Sequence, residues 1–345
     1  TRDWSSGRVL FRSIAPESLP LEEDQEEDDD MLDMAHVRGQ EHAKRALEIA
    51  AAGGHNALFV GPPGSGKTLL AKTLPTILPR LDFEESLEVT KIFSVAGRLS
   101  RKDSLLRTRP FRSPHHTASA VSLIGGGTFP KPGEISLAHR GVLFLDEFAE
   151  FSSAVLENLR QPLEDGKVTV SRAKGSCDFP ARFMLVAAMN PCPCGFAGDP
   201  EHVCACTPAQ ASRYKQKISG PIMDRIDLHV EVPRLRIEKL SDGEAGESSA
   251  VIRERVEQAR HIQKRRFAGK TIHSNAEMTS HMVKEYCSLD ETAKEIIREA
   301  VSRLKLSARG YMRVLKVART IADLSGKEDI GVSHLAEALQ FRFKD

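Results

Sequence analysis

The stretch Gly61-Pro62-Pro63-Gly64-Ser65-Gly66-Lys67-Thr68 decides the fold. It fits the spacing G-x-x-x-x-G-K-[ST], and its flanks supply the context that this spacing needs. Upstream, Ala57–Val60 is an apolar run too short for a helix and closed by Gly61-Pro62, which predicts a buried strand. Downstream, Leu69–Leu78 returns to helical spacing. In such a strand–loop–helix unit the glycines let backbone N–H groups curl round a β-phosphate, and the helix N-terminus adds its positive dipole. Lys67 is then expected to reach the β- and γ-phosphates of ATP, and the Thr68 hydroxyl to hold Mg2+.

A phosphate cradle also needs a second metal contact and a group that activates water. Val142-Leu143-Phe144-Leu145-Asp146-Glu147 reads as a second buried strand that delivers two adjacent carboxylates at its C-terminal end. Asp146 is expected to orient Mg2+ through its water shell, and Glu147 to polarise the attacking water. A third strand, Phe183–Ala188, runs into Met189-Asn190-Pro191, where Asn190 can hydrogen-bond that water at the strand tip. Helical stretches separate the strands, among them residues 36–52, which end at Gly53-Gly54. The pattern predicts an α/β core with a parallel sheet. From about residue 250 it changes: Ala250–Phe267, Asp290–Leu304, Ala308–Leu324 and Ser333–Phe343 carry helical periodicity and no strand. The expected organisation is an acidic N-terminal linker over 1–34, an ATPase core over 35–240, a flexible connection at 241–249, and a smaller all-α lid over 250–345.

Together these strands and tips resemble the AAA+ ATPases, with Asn190 at the position called sensor 1. The likeness extends to Val37-Arg38-Gly39-Gln40, Gly54-His55-Asn56, Arg112-Ser113-Pro114-His115-His116, residues Pro132–Gly141, and Ala188–Gly195. These segments resemble the magnesium-chelatase-like ATPases, and within them the bacterial competence group that includes ComM and YifB. The resemblance covers roughly residues 31–343. It implies a Lon-protease-like domain ahead of the acidic tract, so the sequence is expected to be part of a longer protein.

The resemblance also implies ring assembly, in a hexamer, with nucleotide bound between subunits. Ser219–Asp227 resembles the segment that sends an arginine into the neighbour's site, making Arg225 the candidate finger. Its alternative is a local ion pair with Asp224 or Asp227. Ser307–Arg313 resembles the sensor 2 segment, with Arg309 the candidate for the γ-phosphate and Arg313 next in line. Residues 85–135 resemble the helix-2 insertion of this clade and carry Arg98, Arg101, Lys102, Arg107, Arg109 and Arg112. Residues 167–182, where Val168 and Val170 alternate ahead of a Lys-Gly turn, read as a β-hairpin and match the family's pre-sensor hairpin. Arg172 and Lys174 near its tip are expected to face the ring's pore and grip DNA phosphates.

Composition excludes other classes. No apolar run approaches the roughly 20 residues of a membrane-spanning helix. One Trp and three Tyr leave little for a base-stacking platform. The net charge of +1 conceals an asymmetry, because residues 1–34 hold eleven acidic and three basic residues. That leaves 37 acidic against 46 basic residues over 35–345, about +9. The acidic tract reads as a solvated tether or as a shield over a basic surface. Six cysteines in 345 residues suit a reducing cytoplasm, yet Cys192, Cys194, Cys204 and Cys206 fall within fifteen residues. They can close a structural tetrathiolate zinc site or remain reduced thiols in a loop. Cys177 and Cys287 read as buried apolar residues.

Three functions compete at this stage. A ring-forming, ATP-driven DNA motor, a branch-migration helicase of natural transformation, is what the resemblance implies first. The ATPase subunit of a metal chelatase is the second. A regulatory module that uses ATP as a conformational switch is the third, and intact Glu147 and Arg225 argue against it.

Overall fold

A continuous apolar run suits a strand covered on both faces, and the central strands of this protein are of that kind. The computed structural model describes residues 32–99, 104–127, 130–172, 175–199, 201–234 and 246–342. Its main sheet has five strands: β1 (Ala57–Val60), β2 (Phe111–Arg112), β5 (Val142–Leu145), β8 (Met184–Met189) and β9 (Leu228–Glu231). Their order is β2-β5-β8-β1-β9, and every pairing is parallel. Every residue of β5 and β8 is buried. One face of the sheet contributes Phe59, Phe144 and Val186 to a core with Leu47, Leu70 and Ile321. The other face contributes Leu58, Leu143 and Leu185 to a core with Phe148 and Ile226.

Helix α1 (Glu41–Gly53) begins later than the expected residue 36. Met34–His36 forms a 3-10 turn capped by Asp33, and Gly39 and Gln40 both take positive φ, which stops any helix from running through them. Helix α2 (Lys67–Ile77) starts immediately after the loop. The insertion holds α3 (Phe83–Ala96), β2, α4 (Ala120–Ile124), a small hairpin of β3 (Gly125–Gly126) and β4 (Lys131–Pro132), and α5 (Glu134–Leu137). Its basic run is partly neutralised, since Arg98 and Arg112 pair with Glu134 and Arg109 with Glu85. Arg101 and Lys102 lie outside the described residues.

After α6 (Ser153–Glu157) and α7 (Arg160–Asp165) comes the expected hairpin, with β6 (Lys167–Arg172) antiparallel to β7 (Gly175–Pro180). Val168 and Val170 point into the core, as the alternation requires. Cys177 does not. It is exposed although it pairs in register with buried Val170, and Phe179 is the one buried residue of β7. Cys287 is buried as expected.

Helices α8 (Pro208–Lys215) and α9 (Gly220–Met223) lead into β9. Beyond residue 245 the described chain is helical: α10 (Ser249–Arg266), α11 (Ser280–Tyr286), α12 (Glu291–Arg303), α13 (Ala308–Leu324) and α14 (Val332–Gln340). Ser249, expected in a flexible connection, is buried at the start of α10. Its N–H donates to Asp33, and its hydroxyl accepts from the Met34 N–H at 2.8 Å. Helices α10 and α13 pack on α1, so residues 249–342 share an apolar core with the first face of the sheet. Among the described residues no helix is long and apolar enough to cross a membrane.

Candidate active site

The strand order brings the chemistry together. β8 lies between β1 and β5, so the loop after β1, the carboxylates after β5 and Asn190 after β8 leave adjacent C-terminal strand ends, where open α/β sheets bind ligands. The loop glycines are needed for geometry. Gly64 and Gly66 have φ of 76° and 90°, and a Cβ on Gly61 would stand 2.1 Å from the Val232 carbonyl oxygen. Lys67 Nζ donates to the Gly61 and Pro62 carbonyls at 2.7 and 2.8 Å and reaches the Asn190 amide oxygen at 3.4 Å. Burial lowers its pKa to about 8, with Asp146 opposing the shift. Gln40 was not singled out for a role by the sequence. Its amide donates to the Ser65 and Pro233 carbonyls, tying the loop to the end of β9.

Thr68 Oγ1 donates to Asp146 Oδ2 at 2.7 Å, so the two expected Mg2+ oxygens stand side by side. The other Asp146 oxygen accepts from the Glu147 N–H at 2.9 Å. Glu147 takes a left-handed conformation, φ 52°, which turns its side chain out of the strand direction. There His116 Nδ1 meets Glu147 Oε2 at 2.7 Å, with the His116 ring against His115 and edge-on to Phe151. In the sequence, Pro114-His115-His116 carries family resemblance without indicating a task for either histidine. The histidine doublet itself was the available signal.

The arginines are placed differently from a simple surface reading. Arg225 is 7% exposed. It pairs with Glu164 of α7, not with Asp224 or Asp227, and donates to the Pro221 carbonyl at 2.6 Å. Glu164 is held below the usual carboxylate range by its hydrogen bond to Arg225, with Arg309 contributing charge. Arg309 is exposed on the first turn of α13, where its charge reaches Glu164 without pairing with it directly. Arg313 is bound to buried Asp227, which also accepts from the Asn56 N–H at 3.0 Å and faces His55 Nδ1 at 3.5 Å. Burial lowers the pKa of His55, against the pull of Asp227. Of the two hairpin cations, Arg172 closes β6 opposite Gly175, and Lys174 lies outside the described residues.

The four clustered cysteines do converge. Their sulfurs all lie within 4.8 Å of one another, with Cys192 fully buried. Measured separations are 3.4, 3.5 and 3.7 Å. A tetrahedron with Zn–S bonds of about 2.3 Å has edges of about 3.8 Å, whereas a disulfide needs about 2.05 Å. The Phe196 backbone N–H, with the Cys192 and Cys206 side chains, holds the Cys194 thiol down at about 6. Burial and the neighbouring cysteines push the Cys204 and Cys206 thiols up, so without a metal the cluster favours a single thiolate, and the case for a metal rests on the sulfur geometry. These residues fit a metal.

A phosphate-type loop after β1, a hydroxyl–carboxylate pair, a second carboxylate beside it and an amide just after the intervening strand make the arrangement of an AAA+ P-loop ATPase core. Residues 33–240 match the family described as magnesium chelatase, subunit ChlI, and residues 246–342 match its C-terminal part. The chain belongs to this magnesium-chelatase family, which implies ATP and Mg2+ as cofactors. It is similar to the competence protein ComM of Haemophilus influenzae, 50% identical over 314 residues that cover 90% of this chain and 60% of that protein. It is 46% identical to YifB of Escherichia coli, over 91% of this chain and 61% of that protein. A more remote relative is the magnesium-chelatase 67 kDa subunit of Heliobacterium mobile, 25% identical over 59% of this chain and 33% of the subunit. The chain spans about three fifths of the length of ComM and YifB.

Proposed function

We propose that this chain is the motor part of a ring-forming, ATP-driven DNA translocase that carries out branch migration in natural transformation. The observation that carries the reading is the 50% identity to a competence protein in a chain whose hydrolytic set is complete. Thr68 and Asp146 hold Mg2+, Lys67 meets the β- and γ-phosphates, Glu147 polarises water and Asn190 orients it. Arg225 acts in trans, which requires that its pair with Glu164 opens when a neighbouring subunit presents its phosphates. Arg309 serves the γ-phosphate from the lid over 250–345. Arg172 and Lys174 meet DNA in the pore of a hexamer, and the four-cysteine loop holds one structural Zn2+. The compartment is the reducing cytoplasm.

The match to the chelatase subunit favours a second reading, an ATPase that drives metallation of a tetrapyrrole through a partner. ATP turnover with and without forked DNA decides between them. The motor is expected to accelerate severalfold on forked or single-stranded DNA. Turnover indifferent to DNA moves the assignment to the chelatase reading, and the near-absence of turnover moves it to a nucleotide-driven switch.

A further inference from the structure

The four-cysteine loop grows directly out of the catalytic strand. Asn190 ends the run from β8, and Cys192 follows after a single proline. The turn that begins there is closed by the Gly195 N–H donating to the Cys192 carbonyl at 3.0 Å, and the Ala197 N–H points at Cys192 Sγ at 3.3 Å. Gly195 has φ of 87°, and a Cβ placed on it would stand 2.7 Å from Pro63 Cδ, 2.8 Å from Pro63 Cγ and 3.9 Å from Asn190 Cγ. The backbone of the turn is therefore seated on the phosphate loop and beside the Asn190 amide, in a conformation that glycine alone adopts freely. Lys67 Nζ meets the same Asn190 amide at its oxygen, at 3.4 Å.

The loop has little else to hold it in that seat. Between the cysteine pairs, Val203 is 95% exposed, and among the loop's described residues only Cys192 and Gly195 are buried. Its remaining ties are local: the Phe196 ring stacks on His202, the Asp199 carboxylate accepts from the Glu201 and His202 N–H groups, and Arg234 donates to His202. A segment without an apolar core of its own gains order from a metal staple.

We propose that the tetrathiolate loop is a metal clamp on the ATP site: a metal at Cys192, Cys194, Cys204 and Cys206 fixes the turn against Pro63 and keeps Asn190 in register for hydrolysis. The proposal rests on the zinc reading above and adds a consequence to it. The metal touches neither nucleotide nor water, and it acts through two positioning contacts, Gly195 on Pro63 and the short link to Asn190. Loss of metal is then a loss of phosphate-loop geometry. Misplacing a catalytic group by an ångström costs as much as about a hundredfold in rate.

The test uses the full chain, with metal content measured separately from nucleotide chemistry. Elemental analysis is expected to give one zinc per chain, and Co2+ added to stripped protein should produce the absorption of a tetrahedral thiolate site. Stripped protein and Cys204→Ser should bind a fluorescent ATP analogue more weakly and lose about tenfold or more in turnover, with zinc restoring the former alone. Gly195→Ala should keep its zinc and show the same nucleotide defect, because it disturbs the seat and not the ligands. Zinc-depleted protein with unchanged ATP affinity and turnover, or an unaffected Gly195→Ala, overturns the clamp while leaving the metal site standing. A chain that takes up neither zinc nor Co2+, with four freely titrating thiols, removes the zinc reading itself.

Discussion

Replacing Asp227 by Asn probes how the helical segment is fastened to the sheet. Asp227 is 2% exposed at the entry to β9, and its carboxylate is bound by Arg313 of α13. Burial alone would push this carboxyl up. The Arg313 charge, with the hydrogen bond and charge of His55, outweighs it and holds the carboxyl well below the usual range. Asparagine keeps the shape and can still accept from the Asn56 N–H, but it leaves the Arg313 guanidinium without its counterion. Breaking a buried pair in this way costs about 3–5 kcal/mol. The Arg313 side chain retains 21% exposure, so water compensates in part and the lower end, about 3 kcal/mol, is expected. For a chain of this size that corresponds to a fall in Tm of about 4 °C, measured by scanning calorimetry at neutral pH. The pH dependence has a definite sign. A depressed folded-state pKa contributes stability above the unfolded aspartate value of 3.8, and this is lost progressively as pH falls below it. The gap between wild type and Asp227→Asn should therefore narrow below about pH 4. A loss under about 1 kcal/mol, or a gap that stays constant into acid, would mean that Arg313 is no anchor.

Three further outcomes follow from the site. Glu147→Gln should bind ATP normally and turn over about 100-fold to 10,000-fold more slowly, by radiometric phosphate release; near-normal turnover removes Glu147 from the base role. Because Lys67 titrates near 8 and phosphates favour its charged form, ATP affinity measured by calorimetry should weaken as pH rises from 7 to 9, and a flat profile contradicts the assigned contact. Arg225→Ala and Lys67→Ala proteins, each inactive alone, should regain some ATPase on mixing, since one interface can then pair an intact loop with an intact finger; heteromers that form and stay inactive count against action in trans.

The nucleotide loop, Asp146, Glu147 and Asn190 were legible in the sequence because each sits at the end of an apolar run, and strand order alone brings them together. The cysteine loop was legible as a spacing, and the convergence of its sulfurs supports the metal alternative over idle thiols. What was not legible depended on partners far away in the chain. Nothing near Arg225 indicates that Glu164, on a short helix about sixty residues earlier, is its ion-pair partner. The same holds for His116 and Glu147, which meet because β2 and β5 are neighbours. β2 itself has two residues, and β9 alternates buried Leu228 and Val230 with His229 and Glu231 over four, lengths at which periodicity carries little signal. Cys177 shows the reverse error. A lone cysteine reads as a buried apolar residue, but Cys177 is exposed on β7 even opposite buried Val170.

The position of β1 has a consequence for how the chain is made. Ala57 pairs with Val186 on one side and Leu228 on the other, so both neighbours of this strand are synthesised more than a hundred residues after it. At translation rates of 5–20 residues per second, β1 waits about 6–25 s with two open edges before β8 emerges from the ribosome. During that interval Ala57–Val60 is a short apolar strand with unpaired N–H and C=O groups along both sides, the kind of segment that joins strands of other chains. Parallel pairing over such separations also closes slowly, because the loop entropy must be overcome before any contact rewards it. The nascent protein therefore depends on α1 and α2, which flank β1 in sequence and form locally, to cover one face of the strand until its partners arrive.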